Sequence, residues 1–282
     1  MKFIRMNTIR SLVLFSFLLA FSVQAANQVV FFDDFESYTA DAVLPAYPNS
    51  TVPVGLYWYD FLTPSNDTVS TTVAQSGTKS LRMVRNQSSS SHLMALSKTT
   101  GALINGKDLL IKQEVYLPSA ANTCENYYIH TSKGGWNFDG AHIKVLNAGA
   151  WVNTGVTPDF GSWNTIYGVL HMVQKSSSPV TWGGTYDMYL INADGNIFTL
   201  GEGMVLGDAA TGDSIARLHI YAGYASEVYY DDITMTGDYV AQCGDVIHPI
   251  PVGDLDNNCK VNFSDFVELA ANWMTCTPVA CP

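Results

Sequence analysis

Twelve residues near the C-terminus carry the most specific chemistry in the chain. Reading from Asp254, side-chain oxygens fall at loop positions 1, 3, 5, 9 and 12, namely Asp254, Asp256, Asn258, Asn262 and Asp265, and position 7, Lys260, would lend its backbone carbonyl. A hard cation such as Ca²⁺ takes six to eight oxygens at about 2.3–2.6 Å, and alternate residues of a tight loop can point that many inward. Three carboxylates predict a modest affinity, in the roughly 10⁻⁴ to 10⁻³ M class of extracellular modules. Phe263, Phe266, Leu269, Ala270 and Trp273 then follow at helical intervals, with Asn262 placed to cap that helix and Asp265 to reach back from its first turn. The competing reading is a polar Asp/Asn turn that binds nothing.

The same region gathers cysteines. Cys243, Cys259, Cys276 and Cys281 crowd the C-terminal end while Cys124 stands alone. They read as two disulfides with three open pairings, and Cys124 as a buried or idle thiol. Composition changes at Gln242-Cys243-Gly244-Asp245, and His248-Pro249-Ile250-Pro251 reads as an extended connector. Residues 241–282 are too few to fold on hydrophobic burial alone, so this segment calls for staples, and both disulfides and a metal are on offer.

Residues suited to bond-breaking are scattered. A retaining glycosidase needs two carboxylates about 5–5.5 Å apart, normally from alternate positions of one strand. No strand carries that pattern: Glu227 is mis-spaced from Asp231 and Asp232, and Glu114 is isolated among apolar neighbours. A lyase acting on a uronate would need a Tyr or His base beside a cation; His130, His142, His171 and His219 with Arg217 and Lys144 supply the types, not the proximity. Zinc signatures, phosphate loops and nucleophile elbows are absent from the sequence. The balance leans towards a non-catalytic chain.

The elements that would position these residues are strands. From Val29 to about Val240, β-branched and aromatic runs alternate with Gly, Asn, Asp and Ser clusters, and few stretches hold a helical period. Strands are predicted over Leu109–Tyr116, His142–Leu146, Thr165–Val173, Tyr186–Ile191, Ile215–Tyr221 and Val228–Met235, with a hairpin turn at Asn192-Ala193-Asp194-Gly195-Asn196. Alternation such as Ile215-Ala216-Arg217-Leu218-His219-Ile220-Tyr221 suits one buried and one wet face. The expected fold class is all-β, an antiparallel β-sandwich of jelly-roll type over 28–240, followed by a small calcium-binding loop–helix module over 241–282.

At the N-terminus, Lys2, Arg5 and Arg10 precede an apolar run from Leu12 to Phe21 and the small-residue stretch Val23-Gln24-Ala25. This is the pattern of a secretory signal cleaved near Ala25, so residues 1–25 are set aside and no membrane anchor is expected afterwards. Cleavage takes the formal charge from −11 to about −14, which disfavours nucleic acid as a partner.

Two resemblances sharpen these expectations. Gly253-Asp254-Leu255-Asp256-Asn257-Asn258-Cys259-Lys260-Val261-Asn262-Phe263-Ser264-Asp265-Phe266 resembles one calcium-binding repeat of the dockerin family, whose 12-residue, EF-hand-like loop ends in Asp and runs directly into a helix. Here Cys259 stands where that family usually has Gly, and one repeat is present where cohesin-binding members normally carry two. The resemblance implies calcium, leaves a protein partner of the module open, and suggests that a bridge from Cys259 to Cys276 or Cys281 replaces support from the missing repeat. The second resemblance is carried by Val29-Val30-Phe31-Phe32-Asp33-Asp34-Phe35-Glu36-Ser37-Tyr38, Ser76-Gly77-Thr78-Lys79-Ser80-Leu81-Arg82, Ser162-Trp163-Asn164-Thr165-Ile166-Tyr167, Gly184-Thr185-Tyr186-Asp187-Met188-Tyr189 and Val228-Tyr229-Tyr230-Asp231-Asp232-Ile233-Thr234. Together these are similar to the concanavalin A-like, laminin-G-like jelly rolls of secreted bacterial proteins.

That likeness implies a carbohydrate-associated role outside the cell and a structural calcium between first and last strands, from Asp34 or Glu36 with Asp231 or Asp232. Solvated acids on edge strands explain the same residues. Exposed aromatic rings would stack on the apolar faces of sugars, and Trp136, Trp182, Trp151 and Tyr128 are the candidate platforms. For any one of them a packing role is about twice as common; Trp136 and Trp182 stand out because each sits beside Gly and away from a strand pattern. A purely structural or assembly component of an extracellular matrix is the further alternative.

Overall fold

The computed structural model describes residues 27–44, 57–60, 67–85, 92–96, 108–128, 133–177, 180–209, 217–223, 225–246 and 248–273. They form two antiparallel sheets and one helix. The larger sheet runs in the order β13 (Ile197–Ala209), β12 (Val180–Ile191), β11 (Trp163–Ser177), β6 (Asp108–Tyr116), β15 (Glu227–Tyr239), β4 (Ser80–Val84) and β3 (Thr68–Ser70), and β1 (Gln28–Asp33) joins on β15. The smaller sheet runs β10 (Ala150–Asn153), β9 (Ile143–Asn147), β8 (Gly135–Phe138), β7 (Cys124–Tyr128), β14 (Arg217–Ala222), β5 (His92–Leu96) and β2 (Tyr57–Asp60). The helix α1 spans Phe263–Trp273. The all-β sandwich expected from the sequence is therefore the fold.

Alternation builds the core. Leu109, Ile111, Gln113 and Val115 of β6 point inward, as do Leu218, Ile220 and Ala222 of β14 and Trp136 and Phe138 of β8, and all are buried. One cluster joins residues from both sheets, including Phe35, Trp58, Leu81, Tyr128, Trp136, Tyr186, Ile220 and Tyr230. Burying such side chains contributes roughly 1.5–3 kcal/mol each. A polar thread runs through the apolar layer: Gln113 Nε2 donates to Asn126 Oδ1 at 3.0 Å, and Asn126 Nδ2 donates to Tyr230 at 3.0 Å. These bonds satisfy groups that would otherwise destabilise the interior. Cys124 is buried and unpaired, as expected, and burial pushes its thiol up to about 12.

The six predicted strands are all present: the segment predicted as Thr165–Val173 extends to Trp163–Ser177, and the one predicted as Ile215–Tyr221 is described as Arg217–Ala222, residues 215 and 216 lying outside the described residues. The predicted hairpin turn closes by Gly195 N–H donating to the Asn192 carbonyl at 2.9 Å, with Gly195 in the left-handed region that its missing Cβ permits. The two ends of the sandwich lie together. Asn27 Nδ2 donates to the Val240 carbonyl at 3.2 Å and Val240 N–H donates back to Asn27 Oδ1 at 2.8 Å, just beyond the β1–β15 pairing.

Candidate functional site

The outward face of the smaller sheet carries two adjacent rows of side chains crossing the strands. In antiparallel pairing, residues opposite one another share a face. One row is polar: Asn153 opposes Lys144, Lys144 opposes Asn137, Asn137 opposes Glu125, and Glu125 opposes Tyr221. The neighbouring row is aromatic. Trp151 opposes Leu146 at one end, and Gly135 opposes Tyr127, which opposes His219.

The rings form one continuous set. Tyr127 lies 5.8 Å from Trp151 and 5.6 Å from Tyr221, the latter edge-on at 78°. Tyr221 lies 6.4 Å from His219 with planes 14° apart. Such separations are those of interacting rings. Trp151, Tyr127 and Tyr221 are half-buried, so each keeps part of a face in solvent. Beside them Tyr127 donates its hydroxyl to Glu125 Oε2 at 2.9 Å, and Lys144 pairs with Asp139 at 2.5 Å. That ammonium and two backbone N–H groups hold the Asp139 carboxyl down at about 2, the Lys144 bond being the largest cause. Burial first, then the Glu125 carboxylate, raises the hydroxyls of Tyr127 and Tyr221, so both stay neutral donors. Asn137 is 8 % exposed, and its Oδ1 has no hydrogen-bond partner among the described residues.

The aromatic platforms named from sequence fare unevenly. Trp151 is on this face. Trp136 is not: it is 1 % exposed, turned into the core between Asn126 and Val145, with Nε1–H donating to Gln113 Oε1 at 3.3 Å. Its neighbour Gly135 serves another purpose, since a Cβ there would sit 2.0 Å from the Asn126 carbonyl oxygen, so the glycine lets β8 close on β7. Tyr128 is also fully buried, packing edge-on against Tyr186 at 6.2 Å. Trp182 lies inside β12, opposite Gln174 and Ala209, instead of outside a strand, and its side chain falls outside the described residues. Tyr127 and Tyr221 were missed. Their signal was the alternation itself, for each is flanked by the buried residues Asn126 and Tyr128, or Ile220 and Ala222.

The scattered acid–base candidates separate by face. By register His219 lies on the aromatic face together with Lys144 and Tyr221, while the side chain of Arg217, also on β14, falls outside the described residues. His171 belongs to the other sheet, between Asp108 at 2.8 Å and Asp187 at 3.1 Å, and these two carboxylates, Asp108 foremost, raise its imidazole to about 9. Glu114 is 3 % exposed there, bound to Lys112 Nζ at 2.9 Å and to the Thr165 hydroxyl. His142 precedes β9, and His130 lies outside the described residues.

Of the four acids at the sandwich ends, Glu36, Asp231 and Asp232 grip the turn between β3 and β4. Glu36 Oε1 accepts the N–H groups of Thr78 at 2.7 Å and Lys79 at 2.6 Å, which lower its pKa. Asp231 Oδ2 accepts those of Gln75 at 2.8 Å and Ser76 at 3.3 Å, while Asp232 Oδ1 accepts the Ser76 hydroxyl at 2.8 Å. Asp34 Oδ1 accepts the Glu36 N–H at 3.1 Å. Among the described residues these carboxylates do not converge as a set of three donors.

The C-terminal dodecad does converge. Carboxylate oxygens of Asp254, Asp256 and Asp265 all lie within 4.8 Å of one another, with Asp254 and Asp265 buried. Backbone N–H groups aim them: Asn258 at 3.1 Å and Cys259 at 2.5 Å donate to the two oxygens of Asp254, and Leu255 at 2.7 Å and Asp256 at 3.3 Å donate to Asp265 Oδ1. Asp265 Oδ2 accepts the Asn262 N–H at 2.7 Å while Asn262 Oδ1 accepts that of Ser264 at 2.7 Å, the reciprocal cap that starts α1. The Asn262 N–H is the largest cause of a lowered Asp265 pKa. Asn258 Oδ1 accepts the Lys260 N–H at 2.9 Å, and the Lys260 carbonyl accepts from Asn262 Nδ2 at 3.2 Å. Three carboxylates, two amide oxygens and a carbonyl on one tight turn fit a hard cation. The bridge differs from expectation: Cys259 joins Cys243, not Cys276 or Cys281, because the turn after β15 brings Cys243 within 5.4 Å, Cα to Cα. Cys276 and Cys281 lie outside the described residues.

The strands thus define an antiparallel β-sandwich with a C-terminal loop–helix. No protein-family profile matches the chain, and no curated protein matches it. In shape it is similar to a protein of unknown function from Shewanella oneidensis MR-1 at 12 % identity, TM-score 0.45, covering 86 % of this chain and 98 % of that one. It is also similar to a xylan-binding domain from Paenibacillus barcinonensis at 10 % identity and TM-score 0.35, covering 77 % and 98 %. An alginate lyase from Chlorella virus aligns at 12 % identity and TM-score 0.39, covering 64 % and 93 %.

Proposed function

We propose that this chain is a secreted, non-catalytic glycan-binding protein that carries one calcium ion in its C-terminal loop. The observation that carries the reading is the continuous Trp151–Tyr127–Tyr221–His219 ring set beside the polar row of Lys144, Asn137 and Glu125. A sugar ring has an apolar C–H face and a hydroxyl edge, so an aromatic row next to a polar row presents complements to both. The five strands from β10 to β14, spaced about 4.8 Å apart, give a track of roughly 19 Å, long enough for an extended oligosaccharide. Asn137 supports this, since a buried amide oxygen without a partner destabilises the free protein by about 1–3 kcal/mol, which a ligand hydroxyl would relieve. The N-terminal apolar run and the disulfide support export, because such bridges persist in oxidising compartments.

Titration of the purified protein with soluble polysaccharides, calcium present, tests the reading: saturable binding weakened in Trp151→Ala and Tyr127→Ala supports it, and no binding to any polysaccharide removes it. The gathering of His219, Lys144 and Tyr221 on one face favours a second reading, a lyase in which a base takes the proton alpha to a uronate carboxylate while the adjacent glycosidic C–O bond breaks. Appearance of unsaturated chain ends in ultraviolet absorbance distinguishes the two.

A further inference from the structure

We propose that the Cys243–Cys259 disulfide sets the calcium affinity of the Asp254–Asp265 loop, so that the module holds its ion when oxidised and loses it when reduced. The inference rests on the calcium reading above. Cys259 is loop position 6, and its φ of +61° lies in the left-handed region, which side chains with a Cβ disfavour. That same residue donates its N–H to Asp254 Oδ2, and its neighbour Asn258 donates to Oδ1. The turn at 258–259 thereby fixes both oxygens of the first ligand in the loop.

What holds the turn in place comes from outside it. The described hydrogen bonds of the loop stay within residues 251–266. Cys243, by contrast, sits in a turn anchored to the sandwich: the Gln242 N–H and the Tyr239 hydroxyl both donate to Asp245 Oδ2, at 2.5 and 2.8 Å, and Tyr239 is the last residue of β15. The S–S bond, spanning 16 residues of sequence, carries that anchorage across to the loop, with both sulfurs within 4.8 Å of an Asp254 carboxylate oxygen. A crosslink of this kind narrows the unligated ensemble, so the ion meets donors already gathered.

Reduction by a dithiol proceeds by exchange. One thiolate of the reductant attacks a sulfur of the bridge, the mixed disulfide resolves as the second thiol closes the reductant's own S–S bond, and two electrons and two protons end on Cys243 and Cys259 as thiols. The strained turn then keeps its left-handed residue without the tie that compensates it.

Calorimetric titration of the full chain with CaCl₂ tests this, comparing the oxidised protein, the protein in excess dithiothreitol, and the Cys243→Ser/Cys259→Ser and Cys243→Ser/Cys259→Gly variants. Expected are a Kd at least about tenfold weaker on reduction, the same weakening in the double-serine variant with no further response to reductant, and partial recovery when glycine, which adopts φ +61° freely, replaces Cys259. Near-ultraviolet circular dichroism reports that the sandwich stays folded in each. Equal Kd values across all four overturn the coupling and leave the calcium reading standing; absence of any heat in the oxidised protein overturns both.

Discussion

At the scale of single residues, two tryptophans on either side of β9 have opposite roles. Trp151→Ala should weaken polysaccharide binding about tenfold, as expected for loss of one stacking ring, with little change in melting temperature. Trp136→Ala should instead cost about 3–5 kcal/mol in denaturant unfolding, because it empties the core. Sequence ranks them the wrong way round, since the glycine beside Trp136 reads as a loop when it is the residue that lets β8 close on β7. The dodecad was legible because its donors are contiguous and their spacing is the ligand geometry itself. The ring set was not, because its members come from β7, β10 and β14, and only strand pairing brings Tyr127, Trp151 and Tyr221 together. Alternation about their buried neighbours turns Tyr127 and Tyr221 outward. His171 gives a pH-dependent prediction. Its pKa rises from 6.5 to about 9 on folding, so its stabilisation is complete below pH 6.5 and lost as pH climbs through 9. Half-exposed, it should contribute on the order of 1 kcal/mol. Urea midpoints of wild type and His171→Ala should differ at pH 6 and coincide at pH 10.

At the scale of elements, glycine placement decides how closely β8 and β11 approach what they pack on. A Cβ at Gly168 would lie 2.7–2.9 Å from the Tyr128 ring, so Gly168→Ala should destabilise by about 1–3 kcal/mol through overpacking, read from thermal unfolding. Gly135→Ala should do more, since its φ of +141° and its approach to Asn126 leave a side chain no room, and binding should fall with stability because β8 floors both rows. Most strands were legible from β-branched and aromatic runs. Their pairing order was not, because partners such as β6 and β15 lie over a hundred residues apart and local pattern carries no information about distant partners. The α1 helix starts where its cap predicts, with Phe263 and Phe266 75 % and 61 % exposed on it.

At the scale of the whole molecule, sandwich and module should respond separately to metal. Chelation with EDTA should raise backbone hydrogen exchange across residues 254–266 and leave strands β6, β11 and β15 protected, since the sandwich core draws nothing from the loop. Uniform exchange before and after chelation would remove calcium from the account. The pairing of β1 with β15 has a practical corollary. Because Asn27 and Val240 meet at one rim of the larger layer, both handles of the sandwich emerge from the layer opposite the ring set. Grafting the protein to a bead, a sensor chip or a cell wall through either handle should leave the ring-bearing side open to the medium.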